Sequence, residues 1–248
     1  MFLLDIFNLG KSFQHYYGLV PALSAPLRDE VFRLRHQVYC VDLGFEAVRP
    51  DLRETDAYDG QSLHLLIRSV QIDRFIGCAR LIRTCPDDPE QPLPFENACR
   101  TTLNRSIVDP SRLPRESIAE MSRFAVISRF RKRKGEAQTP MGVYDKYYGS
   151  WSQPRFPYIS AGLFLGMVEL ARLNDIDTVF FLSEPREVIS LARLGVKCQV
   201  IGTPIEHRGE RIPSMVQVGD VFKGLNFLVR RLYHTTAAEV GSGLGFGN

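Results

Sequence analysis

The sequence predicts a single α/β domain built around a mixed central sheet, and three observations carry that expectation. Segments with helical spacing of apolar residues alternate with short β-branched and aromatic runs along most of the 248 residues. The composition, 44% hydrophobic and 24% charged, supports a sizeable buried core. No repeat or linker divides the chain. Residues 1–235 therefore read as one domain with insertions near 84–115 and 135–157, followed by a flexible Gly-rich tail over 236–248.

Taken in order, "MFLLDIFNL" puts Phe2, Leu3, Ile6, Phe7 and Leu9 on one face of a short amphipathic helix that packs on the domain. It lacks a basic leader and Asp5 interrupts it, which argues against a signal peptide. Residues 28–41 space Val31, Leu34, Val38 and Val41 as a helix that ends near Gly44, and a polar, proline-bearing loop follows. "SLHLLIRS" and "FIGCARLIR" read as two strands joined by a turn at 71–74. Many prolines over 84–115 leave room for one short helix at 97–103, and a strand is expected at 117–127. Beyond the second insertion the pattern gives a helix at 159–176, a strand at 177–183 and a helix at 185–195. A strand at 196–202, a hairpin partner at 212–218 and one last helix at 220–234 complete the reading.

Bulk properties exclude several classes. A net charge of +3 is far from the basic footprint of a nucleic-acid binder. The longest apolar run, 159–170, is interrupted by Glu169 and too short to cross a bilayer, so stable insertion is not expected and any membrane contact would be peripheral. Cys40, Cys78, Cys85, Cys99 and Cys198 are dispersed, without CxxC or Cys/His spacing. Free thiols in a reducing, cytoplasmic setting and no metal site are the expectation, with Cys40 and Cys78 as small core residues.

The strand within "ESIAEMSRFAVISRF" carries Glu120, Ser122 and Arg123 in an apolar run, where an uncompensated charge is costly. Partners exist elsewhere. The loop "ETDAYDG" brings Glu54, Asp56 and Asp59 close together, as a solvated turn, a cation site or a cradle for a basic side chain. Arg35 and Arg80 lie in a helix and a strand, and a buried arginine needs an acid because it keeps its charge. These groups are expected to pair within a cleft inside the sheet. His64, between Leu63 and Leu65, reads as a satisfied sheet residue, while His36 follows Arg35 toward the same cleft.

In order and spacing, R-x3-Y-x5-F at Arg35, Tyr39 and Phe45, D-x2-D at Asp56 and Asp59, G-x-x-R-L around Arg80, and E-x-S-R-F at Glu120 to Phe124 form a set. That set resembles the acyl-homoserine-lactone synthases and the bacterial N-acyl amino acid synthases. It is most similar to the acyltransferases associated with exosortase/PEP-CTERM systems, whose start reads like "LRHQVYCVDLGFE". The resemblance implies a GNAT-like acyltransferase fold with a splayed pair of central strands. It also implies transfer of a long-chain acyl group from a thioester to the amine of an amino acid. By the same resemblance Glu120, Ser122 and Arg80 are catalytic, with Glu120 as general base. Arg35, Tyr39, Phe45, Asp56, Asp59, Arg123 and Phe124 are substrate-binding.

The lactone synthases carry Phe where Tyr39 stands and Trp where Phe45 stands, which weakens S-adenosylmethionine as acceptor. "RFRKRKGE" is not an intact pyrophosphate loop, which favours an acyl carrier protein over coenzyme A as donor. No further cofactor is expected. The run Arg129, Arg131, Lys132, Arg133 and Lys134 then reads as a docking patch for that acidic carrier. The aromatic second insertion would cover the acyl chain.

Overall fold

The computed structural model describes residues 8–85, 87–131 and 156–245. Helix α1 (Leu9–Tyr16) starts where the Asn8 side chain accepts from the Lys11 N–H at 3.3 Å. It runs directly into strand β1 (Tyr17–Pro21), an element the sequence reading lacks because five residues ending in proline look like a loop. Helix α2 (Ala25–Arg35) is capped by Ser24 and continues as a π-helical stretch, His36–Asp42, which closes with Leu43 N–H donating to Val38 C=O at 3.1 Å. Gly44, at φ +63, ends it as expected. Strands β2 (Ser62–Ser69) and β3 (Arg74–Arg83) form the predicted hairpin.

Across the first insertion, the short helix α3 (Pro94–Ala98) begins at its proline, earlier than predicted, and the Glu96 carboxylate accepts from the Leu93 N–H at 2.8 Å. The buried Arg115 pins this segment, donating to Pro89 C=O at 3.0 Å, Gln91 C=O at 2.9 Å and the Glu96 carboxylate at 2.9 Å. Strand β4 (Ile118–Val126) is the predicted polar-bearing strand. Helix α4 (Tyr158–Arg172) lies under the sheet, buried almost all round. Its two glycines admit neighbours: a Cβ on Gly162 would lie 2.5 Å from the Phe13 ring, and one on Gly166 would lie 2.5 Å from Leu19.

Strand β5 (Thr178–Ser183) leads into helix α5 (Pro185–Leu194), which carries a capping box between Glu184 and Glu187 and ends at Gly195, φ +94. The strand predicted at 196–202 shrinks to β6 (Gln199–Val200). Strand β7 (Ile205–Glu206) forms a tight hairpin with β8 (Glu210–Gln217). The single last helix of the sequence reading is two, α6 (Val218–Gly224) and α7 (Phe227–Gly243). The break is imposed from outside: Asn226 donates its backbone N–H to Leu194 C=O at 3.1 Å and its side-chain amide to Arg193 C=O at 2.8 Å, closing the end of α5. Helix α7 also passes position 235, so the chain end is helical through Gly243 rather than a tail from 236.

The strands form one open sheet in the order β1-β2-β3-β4-β5-β8-β6, with β7 attached to β8. Every pair is antiparallel except β4–β5. That parallel pairing covers only Ile118↔Thr178, Ala119↔Val179 and Glu120↔Phe180. Beyond Glu120 and Phe180 the two strands part, which is the splay the resemblance implied. One face of the sheet is covered by α4, α6 and α7, with Phe164, Phe181, Met121 and Leu191 in one core. On the other face α2 and its π-helical extension pack Val38 and Tyr39 over Cys78, and the first insertion packs Phe95 over Phe180 and Ile118. Phe2, Leu3, Ile6, Phe7 and most of the second insertion lie outside the described residues.

Candidate active site

A cavity of about 290 Å³ occupies the gap where β4 and β5 part. Strand alternation shows that it passes through the sheet. Met121, Phe164, Phe181 and Leu191 line it from the α4 face, while Glu120, Pro94, Ala98 and Leu182 line it from the other. Tyr39, Phe45, Asp56, Tyr58, Arg80, Ser122, Arg123 and Phe124 complete much of the wall. The cavity thus has a polar mouth and an apolar limb.

The polar mouth rests on an ionic network that explains the charges in β4. Arg35, fully buried, donates Nε to Glu54 at 2.5 Å and NH1 to Asp59 at 2.6 Å. Arg80 donates NH1 to Asp56 at 2.6 Å and Asp59 at 2.8 Å, and Nε to Ser122 Oγ at 3.2 Å. Arg123 reaches Glu54 at 3.2 Å and Asp56 at 3.1 Å. Three arginines meet three carboxylates, so the acids of the 54–59 loop cradle guanidinium groups rather than a cation. Burial works against ionising Asp59, yet Arg35 and Arg80 prevail and hold it at about 2. Glu54 and Asp56 are held low against burial in the same way, by Arg35 and Arg80 first respectively. The loop is ordered by its own acids: Asp59 accepts from the Asp56 N–H at 2.7 Å and Asp56 from the Tyr58 N–H at 3.0 Å.

Arg123 enters this network through a β-bulge. Cys78 faces Ala125 and Arg80 faces Ser122, so Ala79 alone opposes Arg123 and Phe124. Arg123 adopts φ +51, which sends its guanidinium toward Glu54 and over the Tyr39 ring, 5.5 Å from the centroid. The Tyr39 hydroxyl donates to Phe124 C=O at 3.0 Å and bolts the bulge to the π-helix. Burial pushes that hydroxyl up to about 12, so it stays a donor.

Glu120 is the exception among the buried charges. Among the described residues it makes no ion pair, and its carboxyl accepts only the Phe95 N–H, at 2.7 Å. Pairing with Arg80 or Arg123, expected from the sequence, is replaced by this single backbone bond. Burial outweighs it and pushes Glu120 up to about 7.

Of the predicted residues, Glu120, Ser122, Arg80, Tyr39, Phe45, Asp56, Arg123 and Phe124 line the cavity. Arg35 and Asp59 stand behind the wall and hold Arg80 and Asp56 in place. His36 also stays behind it, accepting from the Arg49 N–H at 3.1 Å. His64 is buried, but neither ring nitrogen has a hydrogen bond among the described residues, so it is not the satisfied residue expected. Burial, aided by Arg35, lowers it to about 4 and keeps it neutral. Arg129 is exposed, whereas Arg131 is buried and paired with Asp42, so it leaves the docking patch. Lys132, Arg133 and Lys134 lie outside the described residues.

Sequence reasoning missed Tyr58, Ser183, Glu187, His207, Arg208 and Arg211, which also line the cavity. The β7–β8 turn brings three of them, with Arg208 at φ +55 and Gly209 at φ +95. Arg208 pairs with Glu46, the neighbour of the lining residue Phe45, and Arg211 pairs with Glu184 at 2.8 Å. A two-residue strand leaves little sequence signal for this hairpin. Glu187 did leave one, as an acid among the apolar positions of α5.

A family described as acetyltransferase (GNAT) domain matches residues 34–139. No curated protein matches the chain by sequence. Among solved structures, the AHL synthase LasI superposes with a TM-score of 0.56 at 18% identity, covering 85% of this chain and 95% of that one. BjaI, described as a CoA-dependent acyl-homoserine lactone synthase with SAM and isopentyl-CoA, gives 0.54 at 18%, covering 92% and 98%. FeeM, an N-acyl amino acid synthase from uncultured soil microbes, gives 0.55 at 13%, covering 86% and 96%. The fold is that of these GNAT-type structures, and residues 34–139 match the acetyltransferase (GNAT) domain.

Proposed function

We propose that this acyltransferase moves a long-chain fatty acyl group from an acyl-carrier-protein thioester to the amine of an amino acid. The observation that carries the reading is the through-sheet cavity, with an unpaired, proton-accepting Glu120 on its polar side and Phe164, Phe181 and Leu191 on its apolar side. A fatty tail lies in the apolar limb and leaves its thioester in the gap. The backbone amides of β4 that face the gap beyond Glu120 have no strand opposite them among the described residues and are placed to bind the thioester carbonyl oxygen.

An amino acid arrives mostly as its ammonium. Glu120, poised near neutrality, takes a proton and frees the amine. The amine nitrogen bonds to the thioester carbon, charge gathers on the carbonyl oxygen, and the C–S bond breaks as the amide forms. The nitrogen gives up its second proton to the departing thiolate, which leaves as the thiol, and Glu120 returns the first proton to solvent. Arg80 and Arg123, already held by Asp56, present positive charge at the mouth for the acceptor's carboxylate. The broken phosphate-loop pattern in "RFRKRKGE" supports a carrier-protein donor, and the motif set points to the acyltransferases of exosortase/PEP-CTERM systems.

A second reading uses S-adenosylmethionine as acceptor and yields a homoserine lactone. The likeness to LasI and BjaI favours it. Purified protein supplied with an acyl-carrier thioester and either amino acids or S-adenosylmethionine separates the two. Thiol release with an N-acyl amino acid by mass spectrometry supports the first reading, and methylthioadenosine release the second. Tight carrier binding without thiol release for any acceptor would overturn both in favour of a binding protein.

A further inference from the structure

The ends of three helices meet at one place on the surface. A Cβ on Gly195, just past α5, would lie 2.3 Å from Gly224 C=O at the end of α6, and one on Gly224 would lie 3.9 Å from the Lys197 side chain. Asn226 joins them by donating to Arg193 C=O at 2.8 Å and Leu194 C=O at 3.1 Å, so α7 sets out beside the last turn of α5. Its first residue is Phe227, 70% exposed. Arg231 lies over the Phe227 ring, 5.3 Å from its centroid, which favours the ring standing in the open. Ile189, 55% exposed, precedes the exposed Arg193 by one turn of α5 and shares its outer side.

Cations gather around these two apolar side chains. Residues 189–200 and 218–231 contribute Arg193, Lys197, Lys223, Arg230 and Arg231 against one acid, Asp220, an excess that more than accounts for the chain's net +3. Asp220 is taken by Lys223 at 2.8 Å, while Arg193 and Lys197 make no ion pair among the described residues. Exposed apolar tips set among uncompensated cations complement an anionic bilayer: the tips enter the headgroup region and the cations meet lipid phosphates. The other side of α5 faces the cavity, whose apolar limb Leu191 lines, so a single helix separates that limb from the exposed face. An acidic carrier protein suits the place less well. Its thioester must enter between β4 and β5, whereas the 10 residues of α5 carry the chain about 15 Å from the end of β5.

We propose that Ile189 and Phe227, with Arg193 and Lys197, form a docking face for an anionic lipid bilayer. No helix among the described residues is long and apolar enough to cross a membrane, so the contact is peripheral. If the acyl-transfer reading above holds, the face also brings the enzyme to the phase into which a long-chain acyl amide partitions; the face itself does not depend on that reading.

The test is co-sedimentation with vesicles of phosphatidylcholine alone or with about 30 mol% phosphatidylglycerol, using the full chain. Wild type binds the anionic vesicles at least about tenfold more tightly than the neutral ones, and added salt weakens that binding. Arg193→Gln with Lys197→Gln lowers the affinity about 30-fold, the worth of two cations at such a surface. Ile189→Ser with Phe227→Ser lowers it about tenfold or more, and neither pair changes the thermal melt or turnover of a soluble donor. Equal binding to both vesicle types, no binding, or full binding by both double variants overturns the docking face. So does a raised KM for carrier-bound donor in Arg193→Gln with Lys197→Gln, which would assign the face to the carrier. Absence of acyl transfer by the wild type removes the activity alone, and vesicle binding, read without turnover, still decides the face.

Discussion

Replacing Glu120 by Gln should inactivate the protein and at the same time stabilise it above neutral pH. Glu120 is 5% exposed and rises from 4.5 to about 7, chiefly because burial penalises its charge. For an acid raised in this way, folded and unfolded chains both hold the proton below about 4.5, and the group has no effect on stability there. As pH climbs toward 7 the unfolded chain releases its proton more readily, so stability falls. Above 7 the loss is complete. At 1.36 kcal/mol per unit, the rise from 4.5 to about 7 corresponds to about 3 kcal/mol. Gln keeps the shape and can still accept the Phe95 N–H, but never ionises. Denaturant melts of both proteins from pH 4 to 9 should coincide at the acid end and separate through pH 5–7. Turnover by Glu120→Gln should fall about 100-fold or more, the usual worth of a positioned base. Equal stability of both proteins at pH 8, or a mutant less stable throughout, would refute the assignment of a charge-penalised base.

Arg35→Ala takes from Glu54 and Asp59 the nearer of their two guanidinium groups, leaving Arg123 and Arg80 to compensate them in a buried setting, and should cost about 3 kcal/mol in chemical denaturation. Arg35→Lys should recover little, because one ammonium cannot reproduce the fork that reaches both acids. Gly195→Ala should destabilise by about 1 kcal/mol or more, since the position has φ +94 and the added Cβ would sit 2.3 Å from Gly224 C=O; a thermal melt within error of wild type would contradict this. Replacing Arg129, Lys132, Arg133 and Lys134 by Ser, with Arg131 kept for Asp42, should raise KM for carrier-bound donor and flatten its salt dependence. An unchanged KM would remove the docking patch.

Periodicity along the chain was enough to locate most of the longer elements and the chemistry of β4. Alternating apolar runs marked β2, β3, β4 and β5, and helical spacing marked α2, α4 and α5. Glu120, Ser122 and Arg123 announced a buried polar site because a charge inside an apolar strand must be compensated by partners or exchanged for a proton. Glu187 left a comparable signal, as an acid on an otherwise apolar helix stripe, which the sequence reading passed over. Further features depend on the tertiary structure, since they arise from chain segments far apart. Gly224–Asn226 breaks a helix-forming run because Asn226 closes the end of α5, 33 residues away. Arg131, read as part of a basic surface run, is buried because Asp42 meets it across the fold. Whether Glu120 pairs with an arginine is decided by competition: the acids of the 54–59 loop reach the guanidinium groups, leaving Glu120 a backbone amide and a proton to exchange. Local pattern dictates where charges stand along the chain. Only packing dictates which of them find each other, because pair energies in a low-dielectric interior depend on separations that sequence distance does not encode.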